Sequence, residues 1–398
     1  MRLPAVCRTA TVLASLLTLI PFALGQQASP SLQPPRFVFV VEAVPNGIYG
    51  FAVDPTTGIL TPTAQGLVQL TFAPSGVASD QGGHRLYVGD LGGNVSGFNI
   101  DAGSGFLSAV PGSPFAAGDT ISGIAVYPFG KFVFASLRHG GVAVFRAAAT
   151  GALTEVPDSP FPTVTGTNAL TLSQGSYLFI AEGVPGAQLP IPSYIDGFAV
   201  DPTTGALTAV PNSPYQMNPV SDACSVVPKD LLAVSGRYLY VADAYESAVS
   251  GFAIGSTGAL TELKNSPYKP ICADNTNVNN LNQPAGITVE PTHRFLYGAD
   301  ASPNSVNLAA YRIRHSGDVG TLAFLTTTAS STNCGFKLRA DPSGKFVYGF
   351  GNTSANCSGA PVLSAFAIDS ATGQLTPITM PANVLGAPVD LAVTPPAK

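Results

Sequence analysis

Gly50-Phe51-Ala52-Val53-Asp54-Pro55-Thr56-Thr57-Gly58 returns without a change as Gly197-Phe198-Ala199-Val200-Asp201-Pro202-Thr203-Thr204-Gly205. Looser copies stand at Gly97-Phe98-Asn99-Ile100-Asp101, Val144-Phe145-Arg146, Gly251-Phe252-Ala253-Ile254, Ala310-Tyr311-Arg312-Ile313 and Ala365-Phe366-Ala367-Ile368-Asp369, which makes seven copies. Self-similarity at a recurring spacing marks a repeat architecture, in which each unit is too thin to bury its own apolar faces. Asp-Pro opens a turn and the closing Gly supplies a positive φ, so each phrase reads as a strand running into a tight turn.

Each copy is preceded by a second run rich in Val, Tyr, Phe and Leu, as half-buried strands are: Arg36–Glu42, Arg85–Asp90, Lys131–Ser136, Tyr177–Glu182, Arg237–Asp243, Arg294–Asp300 and Lys345–Phe350. A third run follows each phrase, as in Leu153-Thr154-Glu155 or Leu207-Thr208-Ala209, and a fourth lies upstream, as in Gly123-Ile124-Ala125-Val126 and Gly286-Ile287-Thr288-Val289. Four short strands per repeat, with turn residues between, predict the blade of an all-β propeller. The expected fold is a seven-bladed β-propeller of four-stranded antiparallel blades.

The ends of the chain carry the closure. The repeats begin on a second strand at Arg36 and end on an innermost one, Val389-Asp390-Leu391-Ala392-Val393. These must share one blade, with the C-terminal strand lying beside the three N-terminal strands, so that no sheet edge is left open where the ring meets. Residues 36–398 are therefore expected to form one domain, since a propeller grows by adding blades.

Residues 1–35 read differently. Arg2 and Arg8, an apolar run from Val12 to Leu24 and the small residues Ala23 and Gly25 form a secretory leader over 1–25, followed by a linker over 26–35. The expected location is secreted or periplasmic, with no transmembrane segment in the mature chain. The formal charge is −5, and removal of Arg2 and Arg8 leaves −7. No basic stripe is available to neutralise phosphates, so a nucleic-acid partner is not expected. Charged residues are 10% of the chain and hydrophobic ones 45%, enough to bury a core. Four cysteines remain after the leader: Cys224, Cys272, Cys334 and Cys357. An even number in an exported chain predicts disulfides. Three pairings are open, with Cys224–Cys272 and Cys334–Cys357 favoured because each joins neighbouring loops; buried free thiols are the alternative. No Cys or His spacing resembles a metal site, no cofactor motif is present, and the expected state is a monomer.

The turns that follow the innermost strand and the phrase turns are short and share one face. The other face, here the top, carries nearly all the extra length: 183–194, 211–229, 264–284 and 351–361. Long loops on a rigid scaffold are where binding concentrates. The second strands reach this face at Glu42, Asp90, Leu137, Glu182, Asp243, Asp300 and Gly351, five of them acids. Such a ring either meets a ligand or ties down its own turns through main-chain N–H groups. Residues that break the repeat are more selective. Lys337, Arg339, Asn168, Asp230 and Asp390 lie on or beside innermost strands, and Arg138 and His139 occupy a top turn of blade three. They form either one polar pocket for an anionic or hydroxylated ligand, or ion pairs lining a wet channel.

The repeat resembles the seven-bladed propeller lactonases, whose named activity is hydrolysis of 6-phosphogluconolactone, and the related YVTN-type propellers. The residues that carry this are second strands such as Gly236-Arg237-Tyr238-Leu239-Tyr240-Val241-Ala242-Asp243 and the Phe-Ala-Val-Asp-x-x-Thr-Gly-x-Leu-Thr phrase, over Arg36 to Val393. The family carries Pro-Arg-His before a central innermost strand and a Glu ending the strand after it. Glu182 occupies the Glu position, and Thr167-Asn168 stands at Arg-His. The resemblance implies a lactone hydrolase, and of the family's site residues it carries over only Glu182, as base on a water. The polar residues read above complete that expectation, with Arg138, His139, Lys337 or Arg339 at the oxyanion and Asn168, Asp230, Lys337, Arg339, Asp390, Asp243 and Asp300 around the ligand. The alternative is a non-catalytic propeller that holds a protein or glycan partner through its long loops.

Overall fold

The computed structural model describes residues 36–128, 130–173, 177–182, 194–217, 232–243, 248–268, 284–300, 307–329, 333–352, 360–381 and 385–396, all within one compact unit, Pro34–Lys398. They form seven antiparallel sheets, each built on four strands and two of them carrying a short fifth, arranged as a seven-bladed propeller. Blades two to seven are continuous in sequence, with innermost strands Pro74–Ser79, Ile121–Val126, Thr167–Leu172, Leu232–Ser235, Pro284–Val289 and Asn333–Ala340. Blade one is composite. Arg36–Ala43, Asn46–Val53 and Leu60–Gln69 are completed on the inside by Pro388–Val393, whose Leu391 lies opposite Val40. Thr394 fastens this seam: its amide donates to Phe37 O at 2.8 Å, and its hydroxyl accepts from Phe37 N at 3.0 Å.

Among the described residues there is no central core. The buried side chains divide into seven clusters, each spanning two adjacent blades; one joins Phe346, Tyr348 and Leu363 of blade seven to Val38, Val40 and Leu391 of blade one. A single blade would expose both of its faces, so the repeat must close on itself.

The phrase turns mark the joints. Asp54 caps its own turn by accepting from Thr56 N and Thr57 N at 2.8 and 2.7 Å. The turn ends at Gly58, whose φ is +74° and whose absent Cβ would sit 2.5 Å from Phe346 of the preceding blade. Tyr348, two residues on, donates its hydroxyl to Gly58 O at 3.0 Å. Each of the seven joints repeats this seat, with a glycine at φ between +71° and +87° under a side chain of the blade before. Tyr87, Tyr240 and Tyr297 repeat the hydroxyl contact. The recurrent Thr-Gly is therefore a contact between blades as much as a turn.

Two features of the sequence reading change. The stretches after the outermost strands do not begin as top loops. Ser113-Pro114-Phe115, Ser159-Pro160-Phe161, Ser213-Pro214-Tyr215 and Ser266-Pro267-Tyr268 fold back along the blade edge, where each aromatic residue pairs with the third strand. Each serine hydroxyl there accepts a third-strand N–H at 3.0–3.1 Å. The proposed loops 211–229 and 264–284 are shorter by that much, because an aromatic residue that can extend the sheet gains more than it would in solvent. The second change is at the top of the innermost strands. A register shift recurs there, between Pro74 and Gly76 and between Thr167 and Ala169 among others. The extra residue turns the following side chains relative to the channel.

Candidate functional site

Three of the five top-face acids lie among the residues with described side chains, and all three tie down backbone. Glu42 accepts from Gly386 N at 3.0 Å, and Asp90 from Asn94 N at 2.8 Å. Glu182 accepts from both the amide and the hydroxyl of Thr165, at 2.8 and 2.9 Å. Their exposures are 0%, 2% and 3%, too little to meet a ligand together. Burial pushes the Glu42 carboxyl up. Asp243 and Asp300 end their strands as expected; their side chains lie outside the described residues.

The chemistry gathers where blades three and four meet. The top turn of blade three, Arg138-His139-Gly140-Gly141, leaves Arg138 and His139 exposed. His139 Nδ1 lies 2.8 Å from Asp119 Oδ1, and the His139 amide donates to Asp119 Oδ2 at 3.0 Å. Burial works against the Asp119 carboxylate, but hydrogen bonds from His139 and from Thr120 N outweigh it and hold its pKa below the usual range. An ionised acceptor at Nδ1 places the ring proton there and leaves the Nε2 lone pair outward. The His139 side chain is 77% exposed.

Behind this turn runs a continuous set of contacts. Gly141 N donates to Thr163 Oγ1 at 2.8 Å, and Thr163 Oγ1 donates to Thr165 O at 2.9 Å. Glu182 holds Thr165, and Asp196 holds the residue before it through Val164 N at 3.2 Å. Ser213 Oγ donates to the other Asp196 oxygen at 3.1 Å. Asp196 stands opposite Ile180 and Glu182 opposite Tyr194, so the two acids share one face of adjacent strands; burial, followed by Asp196, pushes the Glu182 pKa up to about 8. Glu182 Oε1 is buried with no donor to accept from among the described residues. A proton on Glu182 that bridges to Asp196 resolves that deficit. Sequence reasoning missed Asp196, although a signal was present. The residue before the conserved Gly or its equivalent reads Tyr49, Ser96, Ala143, Ser250, Ala309 and Ser364 in the other blades, and only blade four has an acid there.

A second cluster sits on the opposite side of the ring. Asp390 of blade one accepts from Arg339 Nη2 at 3.1 Å, and Lys337 Nζ lies 3.4 Å from the same oxygen; both cations belong to blade seven. Asp390 Oδ2 accepts from Val77 N of blade two at 3.0 Å. One carboxylate thus links three innermost strands, and the ion-pair reading of Lys337 and Arg339 describes these contacts. Arg339 remains 30% exposed and faces an axial cavity of about 400 Å³ lined by Ser79, Thr171, Thr288 and apolar side chains. The residues expected to form one pocket therefore form two clusters, because blades three and seven face each other across the ring. Asn168 is the extra residue of the register shift in its strand; its side chain, and Asp230, lie outside the described residues.

A sequence profile described as "Lactonase, 7-bladed beta-propeller" matches residues 198–392, from the third strand of blade four to the closing strand of blade one. Over that stretch the chain matches the lactonase family. Among solved structures, the chain is similar to a candidate 6-phosphogluconolactonase from Bacteroides fragilis, with a TM-score of 0.68 at 20% identity over 92% of this chain and 100% of that one. It is similar to another from Bacteroides uniformis, with a TM-score of 0.69 at 17% identity over 91% and 100%. A protein from Lactobacillus plantarum gives 0.63 at 19% identity over 91% and 100%. At these identities the likeness is one of fold. No curated protein matches the sequence.

Of the lactonase-family site residues, Glu182 is present at the expected strand end but is buried under the Thr165 connector. The exposed pair His139 and Arg138 stands in the neighbouring turn. The cysteine pairings lie outside the described residues: Cys224, Cys272 and Cys357 are beyond them, and of Cys334 only the backbone, in the innermost strand of blade seven, is described.

Proposed function

We propose that this lactonase-family propeller is an exported hydrolase that opens a lactone ring, of a sugar lactone or a related ester, at the top face of blades three and four. The observation that carries the reading is the Asp119–His139 pair, an imidazole oriented by a carboxylate with its second nitrogen toward solvent. His139 Nε2 takes a proton from water as the water oxygen bonds to the lactone carbonyl carbon. The exposed Arg138 guanidinium is the nearest cation in sequence for the oxyanion. Collapse breaks the ring C–O bond, and the imidazolium returns its proton to the leaving alkoxide, giving a hydroxy acid. Glu182 serves this site from behind, through Thr165. The leader over 1–25 supports export.

The test is lactone opening followed by pH-stat with purified protein, on six-membered sugar lactones, neutral and phosphorylated, and on five-membered lactones. His139→Ala is expected to lower the rate about 10²- to 10⁴-fold, the usual worth of a positioned acid–base group, with unchanged thermal unfolding. Equal rates for His139→Ala and wild type, or no lactone opened faster than in buffer, would refute the proposal and leave the partner-holding role.

A further inference from the structure

Blade four buries two carboxylates side by side, Glu182 on its second strand and Asp196 on its third, at 3% and 4% exposure. Like charges so placed cannot both be ionised without large cost. Both are spent on one short connector: Asp196 holds Val164 N, and Glu182 holds Thr165 N and Oγ1. Thr163 and Thr165 in turn carry the His139 turn, through Gly141 N on Thr163 Oγ1.

We propose that Glu182 and Asp196 form a one-proton latch: while they share a proton they clasp the Val164–Thr165 connector to blade four, and loss of that proton at alkaline pH releases the connector and the His139 turn resting on it. With the proton in place, Glu182 donates to Asp196 while both acids still accept from the connector. Without it, two negative charges face each other in a buried pocket whose hydrogen-bonding groups, among the described residues, are neutral. Among the described residues, those groups are the hydroxyls of Thr165 and Ser213 and the N–H groups of Val164 and Thr165. The stretch 183–193, which joins the two strands, contains no titratable side chain. Release of the connector hydrates Glu182 and returns it to ordinary glutamate behaviour.

The consequence is quantitative. Between the ordinary glutamate range and the raised value of about 8, the released form binds one proton fewer than the clasped form. Its population therefore rises about tenfold per pH unit. Amide exchange through such an opening already accelerates about tenfold per pH unit from chemistry alone, so the two effects multiply.

The experiment is hydrogen exchange of the full-length protein from pH 5.5 to 8, followed at Val164 and Thr165. The wild type is expected to show a logarithmic rate that rises by about two per pH unit at these amides, against about one at the Asn94 amide, which the single acid Asp90 holds. Glu182→Gln keeps both the donor toward Asp196 and the acceptor toward Thr165 but cannot ionise; it is expected to restore a slope of one. Asp196→Asn removes the facing charge but leaves Glu182 buried; it is expected to end the steep region at a lower pH than in the wild type, and serves if the first variant does not fold. A wild-type slope of one, a slope of two that survives in folded Glu182→Gln, or a steep region that Asp196→Asn leaves unmoved overturns the latch. The readout needs no lactone, so it stands or falls separately from the hydrolase reading.

Discussion

Gly58→Ala probes the joint on which ring closure depends. At φ +74° any L-residue other than Gly loses about 1–2 kcal/mol. Here the new methyl would also lie 2.5 and 2.6 Å from two ring carbons of Phe346 and 2.9 Å from Ile378 Cδ1. Phe346 is fully packed between blades seven and one, so the clash is relieved only by moving a joint, and overpacking of this kind costs about 1–3 kcal/mol. The expected loss is therefore about 2–5 kcal/mol. The same blade supplies the control. Gly66 has φ +68° and nothing within 4 Å of its missing Cβ, so Gly66→Ala should lose only the backbone share, about 1–2 kcal/mol. Urea unfolding by tyrosine fluorescence reads both, since the chain has 13 Tyr and no Trp. Adding Phe346→Leu should recover part of the Gly58→Ala loss and none of the Gly66→Ala loss. Equal losses at the two glycines would show that the phrase glycine is a turn residue only, and that the blade-to-blade seat described above does not bear on stability.

Other outcomes follow from the same contacts. Arg36 and Asp341, both buried, pair across the seam between blades one and seven; Arg36→Met should cost about 3–5 kcal/mol by leaving the Asp341 carboxylate without its cation, while Arg36→Met with Asp341→Leu should recover only part of it in urea unfolding, because Asp341 also accepts from Ser343 N. Glu182 binds its proton more tightly folded than unfolded, so its stabilisation is complete below the ordinary glutamate range and is lost as pH rises toward about 8. Wild-type unfolding free energy should fall across that window relative to Glu182→Gln, and a pH-independent difference would refute the assignment. Asp390→Ala should cost about 1–3 kcal/mol by stripping Val77 N of its acceptor, measured by thermal unfolding.

The architecture was legible because the signal was repeated seven times. The phrase at Gly50–Gly58 would be a weak turn prediction alone, but seven copies with a second strand before each permit few other folds, and the split of blade one followed from which strand came first and last. The site was legible only where a residue broke the repeat. Lys337 and Asp390 were found that way, and Asp196 could have been. Their distribution into two clusters was not readable, because strand pattern gives blade order but not which side chains reach across the ring. The role of Glu182 was obscured for a related reason. The pattern places an acid at a strand end, while its burial under Thr165 depends on the path of a connector whose sequence, Thr163-Val164-Thr165, carries no periodic signal.

The seam has a consequence for biosynthesis. Because Pro388–Val393 supplies the inner strand of the first blade, the earliest residues of the ring to emerge during translation must wait for the latest before their sheet is whole. Until then the inner edge of Arg36–Ala43 offers free N–H and C=O groups to any passing strand. A nascent or prematurely terminated chain is thus a template for misassembly in a way the finished protein is not, and whatever shelters the unfinished chain has to cover that edge for nearly the whole time of synthesis.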